Sequence, residues 1–230
     1  AAVFEVYGGG QLIVDLALAA TGKYSGGPAK AAVVGSTLTG LVSGSAVANV
    51  MSSGIFTIPL MKRVGYRPAF SAGVEAVAST GGQLMPPVMG AAAFIMADLL
   101  RIPYVDIVIA AAIPAFLYFS ILFLTVDLTA RKNRLSNVDP REIQSPLQLL
   151  RQRGVLLLPL VWLGFRIVSG FSVTSACMEA IAAVIVIGTV YPATRSSLPE
   201  ILDGFAQGAL RSISVAIPCA MAGIIVGVVS

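Results

Sequence analysis

Histidine is absent from this 230-residue chain, and charged residues make up only 11% of it. A soluble globular domain has about 25% charged residues. A chain with so little charge and with 57% apolar residues would lack a surface compatible with water. The missing histidine also removes the commonest general base and metal ligand. The composition therefore predicts an integral membrane protein that is not an enzyme.

Other signatures are missing as well. No lysine follows a glycine cluster as in a P-loop, and no metal-ligand spacing occurs. The two cysteines, Cys177 and Cys219, lie in apolar segments, which favours packing roles over a disulfide. Ser43 resembles an intramembrane protease serine only superficially, since no histidine can accept its proton. A hydrolase using Ser43 or Ser45 and a purely structural membrane subunit stay open as minor alternatives.

The stretch 31–61 contains no charged residue but is rich in serine, threonine and glycine. It is too short for two full membrane spans of about 20 residues each. Lysine and arginine flank both of its ends, which suggests that both ends face the same side of the membrane. We predict a re-entrant helical hairpin with its tip at 43–49. Protein or a water-filled cavity must cover irregular backbone at that depth.

The next stretch, 68–100, begins with a proline suited to a helix start. Two glycines and two prolines interrupt it between Ser79 and Pro87, where they weaken or block helical hydrogen bonding. We predict a broken helix that resumes at 88–97.

The rest of the chain leaves room for ordinary membrane helices, about six or seven segments in all. The predicted order is a first span at 8–20, a polar loop at 21–30, a helix at 103–127 in which Pro114 could introduce a kink, a polar cytoplasmic connection at 129–153, spans at 155–168 and 175–190, a surface helix at 198–210 and an unfinished span at 213–229. These segments group into a transport region (1–128), the connection (129–153) and helices that lead into a truncated second repeat (154–230). Most lysines and arginines then fall on one side, as the positive-inside rule requires. We interpret the chain as a fragment of a longer protein.

The hairpin tip and the helix break together form the candidate site. Carbonyls and hydroxyls freed at a break can replace water around Na⁺, and helix N-termini can face an anion. The candidate substrate- and ion-binding residues are Ser43, Gly44, Ser45, Asn49, Ser79, Thr80, Gly81, Gly82, Gln83 and Pro86. Close helix packing by small residues is the competing interpretation of each one taken alone.

Glu75 lies in the apolar part of the broken segment, where a carboxylate is costly unless it is paired or hydrated. It is interpreted chiefly as a structural partner of a hydroxyl or of a basic residue such as Arg67. A proton or cation site is the alternative. Glu179 and Asp15 are predicted to anchor packing contacts.

Four segments carry a resemblance to a known family. They are 26–36 (GGPAKAAVVGS), 43–50 (SGSAVANV), 56–70 (FTIPLMKRVGYRPAF) and 75–97 (EAVASTGGQLMPPVMGAAAFIMA). They resemble the TRAP transporter permeases, and more narrowly the large-subunit region of fused permeases that work with TAXI-type binding proteins. The match covers residues 8 to 100, and the rest agrees in layout.

The resemblance implies an all-α, elevator-type secondary transporter, a multi-pass protein of a prokaryotic inner membrane. Such a symporter imports organic anions, usually carboxylates, with Na⁺ or H⁺ as coupling ion and no other cofactor. An extracytoplasmic solute-binding protein delivers the substrate. The family has two inverted repeats, each with a re-entrant hairpin and a broken helix, and this chain matches the first.

By the same resemblance, the first cation site would involve Ser45, Asn49 and Gly81. The second hairpin and second broken helix are missing from the chain, so half of the expected site is absent. A dicarboxylate or ion-antiport carrier of the same architecture that needs no binding protein is the alternative function.

Overall fold

The computed structural model describes residues 2–135, 143–191 and 198–229, and the described residues are helical with short connections. The helices are α1 (Ala2–Val6), α2 (Gly9–Thr21), α3 (Gly27–Ser43), α4 (Ala46–Arg63), α5 (Pro68–Gly81), α6 (Ala91–Leu100), α7 (Tyr104–Lys132), α8 (Pro146–Arg153), α9 (Leu158–Val168), α10 (Val173–Val190) and α11 (Leu198–Val229). Single 3₁₀ turns cover Gly82–Leu84 and Gly154–Leu157. The prediction of an all-α helical bundle is confirmed.

Helices α3 and α4 form the predicted helical hairpin, joined by Gly44 and Ser45. The hairpin extends beyond the predicted range 31–61, because α3 already begins at Gly27. Gly26 has a positive φ of 69° and precedes Pro28, which suits the first helical turn. Lys30 therefore lies in a helix and not in the predicted loop. The re-entrant position of this hairpin in the membrane stays a prediction.

The predicted broken helix is also present. Helix α5 ends at Gly81, and α6 begins at Ala91. This start is three residues after Val88, where the sequence pattern predicted it. Helix α7 continues past the predicted end at 127 to Lys132, and Pro114 lies within this continuous helix.

The C-terminal part differs from the prediction in one respect. The predicted surface helix (198–210) and span (213–229) are a single helix, α11, so the predicted separation is wrong. Near its middle, Arg211 is paired with Glu5 on α1, with 2.7 Å between Nη1 and Oε2. The predicted polar connection contains one short helix, α8.

The outer surface of the bundle carries many large apolar side chains. On α7, Ile113 and Phe116 are each 71% exposed. Two helices, Tyr104–Lys132 and Val173–Val190, are long and apolar enough to cross a membrane. Exposed apolar faces on such helices suit contact with lipid, where apolar side chains need no burial.

Cys177 is a free thiol that packs beside a core of α6, α7, α9 and α10, in line with its predicted packing role. The side chain of Cys219 and the basic residues Arg141 and Arg195 lie outside the described residues.

Candidate functional site

The hairpin turn is a tight connection at the end of α3. Gly44 has φ of 57°, and its N–H donates to Gly40 O at 3.4 Å. Ser45 is extended and caps α4 by accepting from Ala48 N at 3.4 Å. The tip lies against Met89, whose carbonyl oxygen leaves no room for a Cβ at Gly44. Glycine is therefore required here both by the backbone and by this contact.

The helix break is built from residues that cannot continue an α-helix. Gly82–Leu84 form one 3₁₀ turn, and Pro86 and Pro87, joined by a cis peptide bond, lack N–H donors. Met89 has φ of 57°, and Gly90 N donates to Gln83 O at 2.8 Å. This hydrogen bond closes the loop and places the start of α6 next to the hairpin tip.

A cavity of about 420 Å³ lies where the tip and the break meet. Its lining residues are Gly44, Ser45, Ala46, Val47, Gln83, Leu84, Met89, Gly90, Ala91, Ala92, Ala93 and Met96. The first turns of both α4 and α6 contribute to this lining. Because a helix N-terminus carries free N–H groups and a partial positive charge, two of them at one cavity can stabilise an anion. No basic side chain is among the lining residues.

Three predicted residues lie directly at this cavity, namely Gly44, Ser45 and Gln83. Ser43 lies beside it and donates from Oγ to Ser45 O at 3.4 Å.

Three others lie deeper, below the tip. Asn49 is fully buried, and its Nδ2 donates to Ser36 O at 2.9 Å. Gly82 packs against it, since a Cβ at Gly82 would lie 2.8 Å from Asn49 Nδ2. Ser79 is fully buried and donates to Glu75 Oε1 at 3.4 Å.

The remaining three predicted residues do not line this cavity. Thr80 is exposed and donates to Ala76 O of its own helix at 2.8 Å. Gly81 packs against Tyr118 of α7. Pro86 lines a separate, largely apolar cavity of about 700 Å³ beside Val33 and Phe119. The assignment of Na⁺ to Ser45, Asn49 and Gly81 stays a prediction.

The structure also reveals a buried polar cluster that sequence reasoning did not assemble. It consists of Glu75 with four hydroxyl residues, Ser36, Ser53, Thr57 and Ser79, and all five side chains are fully buried. We call it the Glu75 cluster.

Hydroxyls from three helices converge on the Glu75 carboxylate. Thr57 Oγ1 donates to Oε2 at 2.5 Å. Ser36 donates to Oε1 at 3.3 Å, and Ser53 donates to the same oxygen. The predicted hydroxyl partners of Glu75 are present, whereas Arg67 is exposed.

The sequence spacing of these residues could have predicted the cluster. Asn49, Ser53 and Thr57 recur every four residues in α4, and Glu75 and Ser79 do so in α5. Side chains at this spacing share one helix face. Two such polar faces within apolar segments indicate that the faces meet.

Glu179 has the predicted anchoring role. Its carboxylate accepts from Trp162 Nε1 at 2.9 Å and from Arg166 Nη2 at 2.5 Å. It therefore ties α10 to α9.

Comparisons with known proteins give the chain a family. The family model described as "Tripartite ATP-independent periplasmic transporter, DctM component" matches residues 1–230. The C4-dicarboxylate TRAP transporter large permease protein DctM of Pseudomonas aeruginosa is 32% identical over 174 residues, covering 75% of this chain and 40% of that protein.

Two further relatives match shorter stretches. The protein of the same name from Vibrio cholerae is 31% identical over 123 residues, covering 54% of this chain and 27% of that protein. The uncharacterized protein YgiK of Salmonella typhimurium is 37% identical over 75 residues, covering 33% of this chain and 17% of that protein. The chain thus spans at most 40% of the length of these relatives. It belongs to the DctM family, the large membrane component of tripartite ATP-independent periplasmic transporters.

Proposed function

We propose that this chain forms the first-repeat transport region of a TRAP permease that imports organic anions, in particular carboxylates, with Na⁺ or H⁺ as coupling ion. The observation that carries the proposal is the cavity between the hairpin tip and the helix break. Two helix N-termini reach it, and no basic side chain lines it.

A carboxylate can bind such a cavity without a lysine or arginine. N–H groups in the first turn of a helix have no partner within the helix, so they can donate to an anion. Ser45 and Gln83 add side-chain donors at the same place. A cation would in turn be bound by carbonyls at the end of α3 and α5, since helix C-termini carry the opposite partial charge.

The hairpin and the broken helix would move as one unit during transport. A Cβ at Gly40 would lie 2.5 Å from the Cα of Gly82, so the two elements touch backbone to backbone. The tip also contacts Met89. An elevator movement of this unit across the membrane would carry the cavity from one side to the other.

The names of the relatives support the remaining parts of the proposal. Two of them are called C4-dicarboxylate TRAP transporter large permease proteins, which favours a carboxylate substrate. The partner would be an extracytoplasmic solute-binding protein, and the location the inner membrane of a prokaryote. The branch with TAXI-type binding proteins is favoured by the sequence resemblance.

The test is uptake by the full-length permease in reconstituted vesicles with its binding protein. We expect Ser45→Leu and Asn49→Leu to abolish cation-dependent uptake, because leucine removes a polar group and adds bulk at or below the tip. Membrane insertion should not change.

A matched control is Thr125→Leu, an exposed residue of α7 that donates to Ile121 O of its own helix. It should transport normally. Unchanged uptake in both Ser45→Leu and Asn49→Leu would contradict the site assignment. Uptake that persists when the binding protein is omitted would instead favour a carrier of another type.

A further inference from the structure

The Glu75 cluster buries a carboxylate without a cation. All described hydrogen bonds of Glu75 come from hydroxyls. The ion pairs in residues 2–135, 143–191 and 198–229 do not include it. A buried carboxylate without a positive partner is costly unless it is neutralised.

Charged side chains on the surrounding helices lie towards the helix ends. The elements packed against α5 are α3, α4, α7 and the uncharged 3₁₀ turn Gly82–Leu84. Their charged residues are Lys30 on α3, Lys62 and Arg63 on α4, and Asp106, Asp127, Arg131 and Lys132 on α7, while α5 follows Arg67. Lys30 is paired with Asp127, with 2.5 Å between Nζ and Oδ1. The immediate surroundings of Glu75 are therefore neutral and polar.

Two hydroxyls of the cluster, those of Ser53 and Thr57, each have a second acceptor in a carbonyl of their own helix. Ser53 Oγ lies 2.8 Å from Asn49 O as well as next to Glu75. Thr57 Oγ1 lies 3.1 Å from Ser53 O as well as 2.5 Å from Glu75 Oε2. Each hydroxyl has one proton, so it donates either to the carboxylate or to its own helix.

This duplication satisfies both charge states of Glu75. When the carboxylate is ionised, the hydroxyls donate to it. When it is protonated, Ser53 and Thr57 can turn their protons to the helix carbonyls, and the acid can donate to one of the freed hydroxyl oxygens. In both states, hydroxyls of the cluster provide partners for the carboxyl oxygens of Glu75.

We propose that Glu75 is a proton-binding site within the helix bundle, separate from the cavity at the hairpin tip. One proton from water binds one carboxylate oxygen, and no other covalent bond changes. The oxygens of the cluster lie at hydrogen-bond distances from one another, an arrangement that accepts a proton without a coordination shell.

The cluster is connected to the tip through Asn49. Ser53 Oγ lies 3.4 Å from Asn49 Oδ1, to which it can donate. Asn49 Nδ2 donates to Ser36 O and packs against Gly82 at the break. A proton on Glu75 therefore changes the hydrogen bonds next to both halves of the cavity. Through this connection, Glu75 is the site at which a proton gradient drives uptake. This step rests on the proposed function.

The first test is infrared difference spectroscopy of the purified full-length permease between acidic and alkaline solutions. Wild-type protein should show a carboxylic acid C=O band that Glu75→Gln lacks. Asp98→Asn, a change at an exposed carboxylate of α6, should retain the band. A spectrum of Glu75→Gln identical to wild type would overturn the proposal, and so would a wild-type band that Na⁺ removes at constant pH.

If Glu75→Gln does not fold, Ser53→Ala replaces it in the same measurement. Loss of one hydroxyl donor should shift the frequency of the band. An unshifted band in Ser53→Ala would show that the band does not arise from Glu75, and would overturn the proposal.

The second test separates this proposal from the proposed function. In vesicles, Glu75→Gln should retain substrate exchange without a gradient but lose all stimulation by an imposed pH gradient. Stimulation equal to wild type would overturn the coupling role of Glu75. Absence of substrate exchange in the wild-type protein would contradict the proposed function and leave the spectroscopic test of proton binding unaffected.

Discussion

Gly40 and Gly73 show that the effect of a methyl group at a helical glycine depends on the surroundings of that glycine. Gly40 lies in α3 where the backbone of Gly82 approaches it, and a Cβ would lie 2.5 Å from the Cα and 2.9 Å from the carbonyl oxygen of Gly82. Gly73 lies in α5 with no atom within 4 Å of its would-be Cβ. Both positions are helical, so they differ in surroundings and not in backbone conformation.

We expect Gly40→Ala and Gly73→Ala to change stability in opposite directions. Gly40→Ala must push the hairpin away from the break, and overpacking of this kind costs about 1–3 kcal/mol. Gly73→Ala should stabilise by about 0.5–1 kcal/mol, because alanine loses less backbone freedom in a helix than glycine does. Thermal unfolding of the full-length permease in detergent measures both. Equal melting temperatures of the two variants would contradict the backbone contact.

At the scale of elements, one ion pair fastens the hairpin to α7. Lys30 and Asp127 have side chains only 7% and 14% exposed, and Arg131 Nε lies 2.8 Å from the other oxygen of Asp127. Lys30 Nζ also lies 5.6 Å from the centre of the Phe123 ring. The two residues differ in their partners, because Asp127 has a second cationic partner in Arg131.

Asp127→Asn should therefore destabilise more than Lys30→Met. The first change leaves a buried lysine without a counter-charge, which costs about 3–5 kcal/mol. The second leaves Asp127 with Arg131, and methionine fills much of the lysine volume. Chemical unfolding of each single variant and of the double variant gives the order, and a larger loss in Lys30→Met would contradict it.

The elements themselves were predictable to different degrees. The turn at Gly44–Ser45 and the break at Gly81–Pro87 follow from local chemistry, because glycine, serine and proline act on their own backbone. The partners of Glu75 were not predictable in the same way, since Ser36, Ser53 and Thr57 are brought to it by the packing of three helices. The contact of α11 with α1 was not predictable from local chemistry either, because Arg211 and Glu5 lie at opposite ends of the chain.

At the scale of the whole molecule, the outer surface indicates which helices contact lipid and which lie in polar surroundings. Ile113 on α7 and Leu147 on α8 are 71% and 76% exposed. The first lies within a helix apolar enough to span a membrane, and the second in a short helix that also carries Arg151 and Arg153. Similar exposure therefore indicates contact with lipid for Ile113 and a polar environment for Leu147.

A lysine at each position tests this difference. Ile113→Lys should lower the yield of membrane-inserted protein, because a lysine at the centre of a span costs about 2.5–3.5 kcal/mol. Leu147→Lys should be tolerated in the polar surroundings of α8. The amount of protein in the membrane fraction measures both, and equal yields would contradict a lipid-facing position of Ile113.

The length of α11 has a consequence for its depth in the bilayer. Its 32 residues correspond to about 48 Å at about 1.5 Å per residue, whereas the hydrocarbon layer is about 30 Å thick. An upright α11 would extend well beyond this layer, and its charged residues lie in the first half, where Gln207 Nε2 donates to Asp203 Oδ2 at 2.9 Å. In such a position, the pair of Arg211 with Glu5 would lie at the level of the lipid headgroups. Through it, the thickness of the surrounding bilayer would set the height of α1 relative to the rest of the bundle.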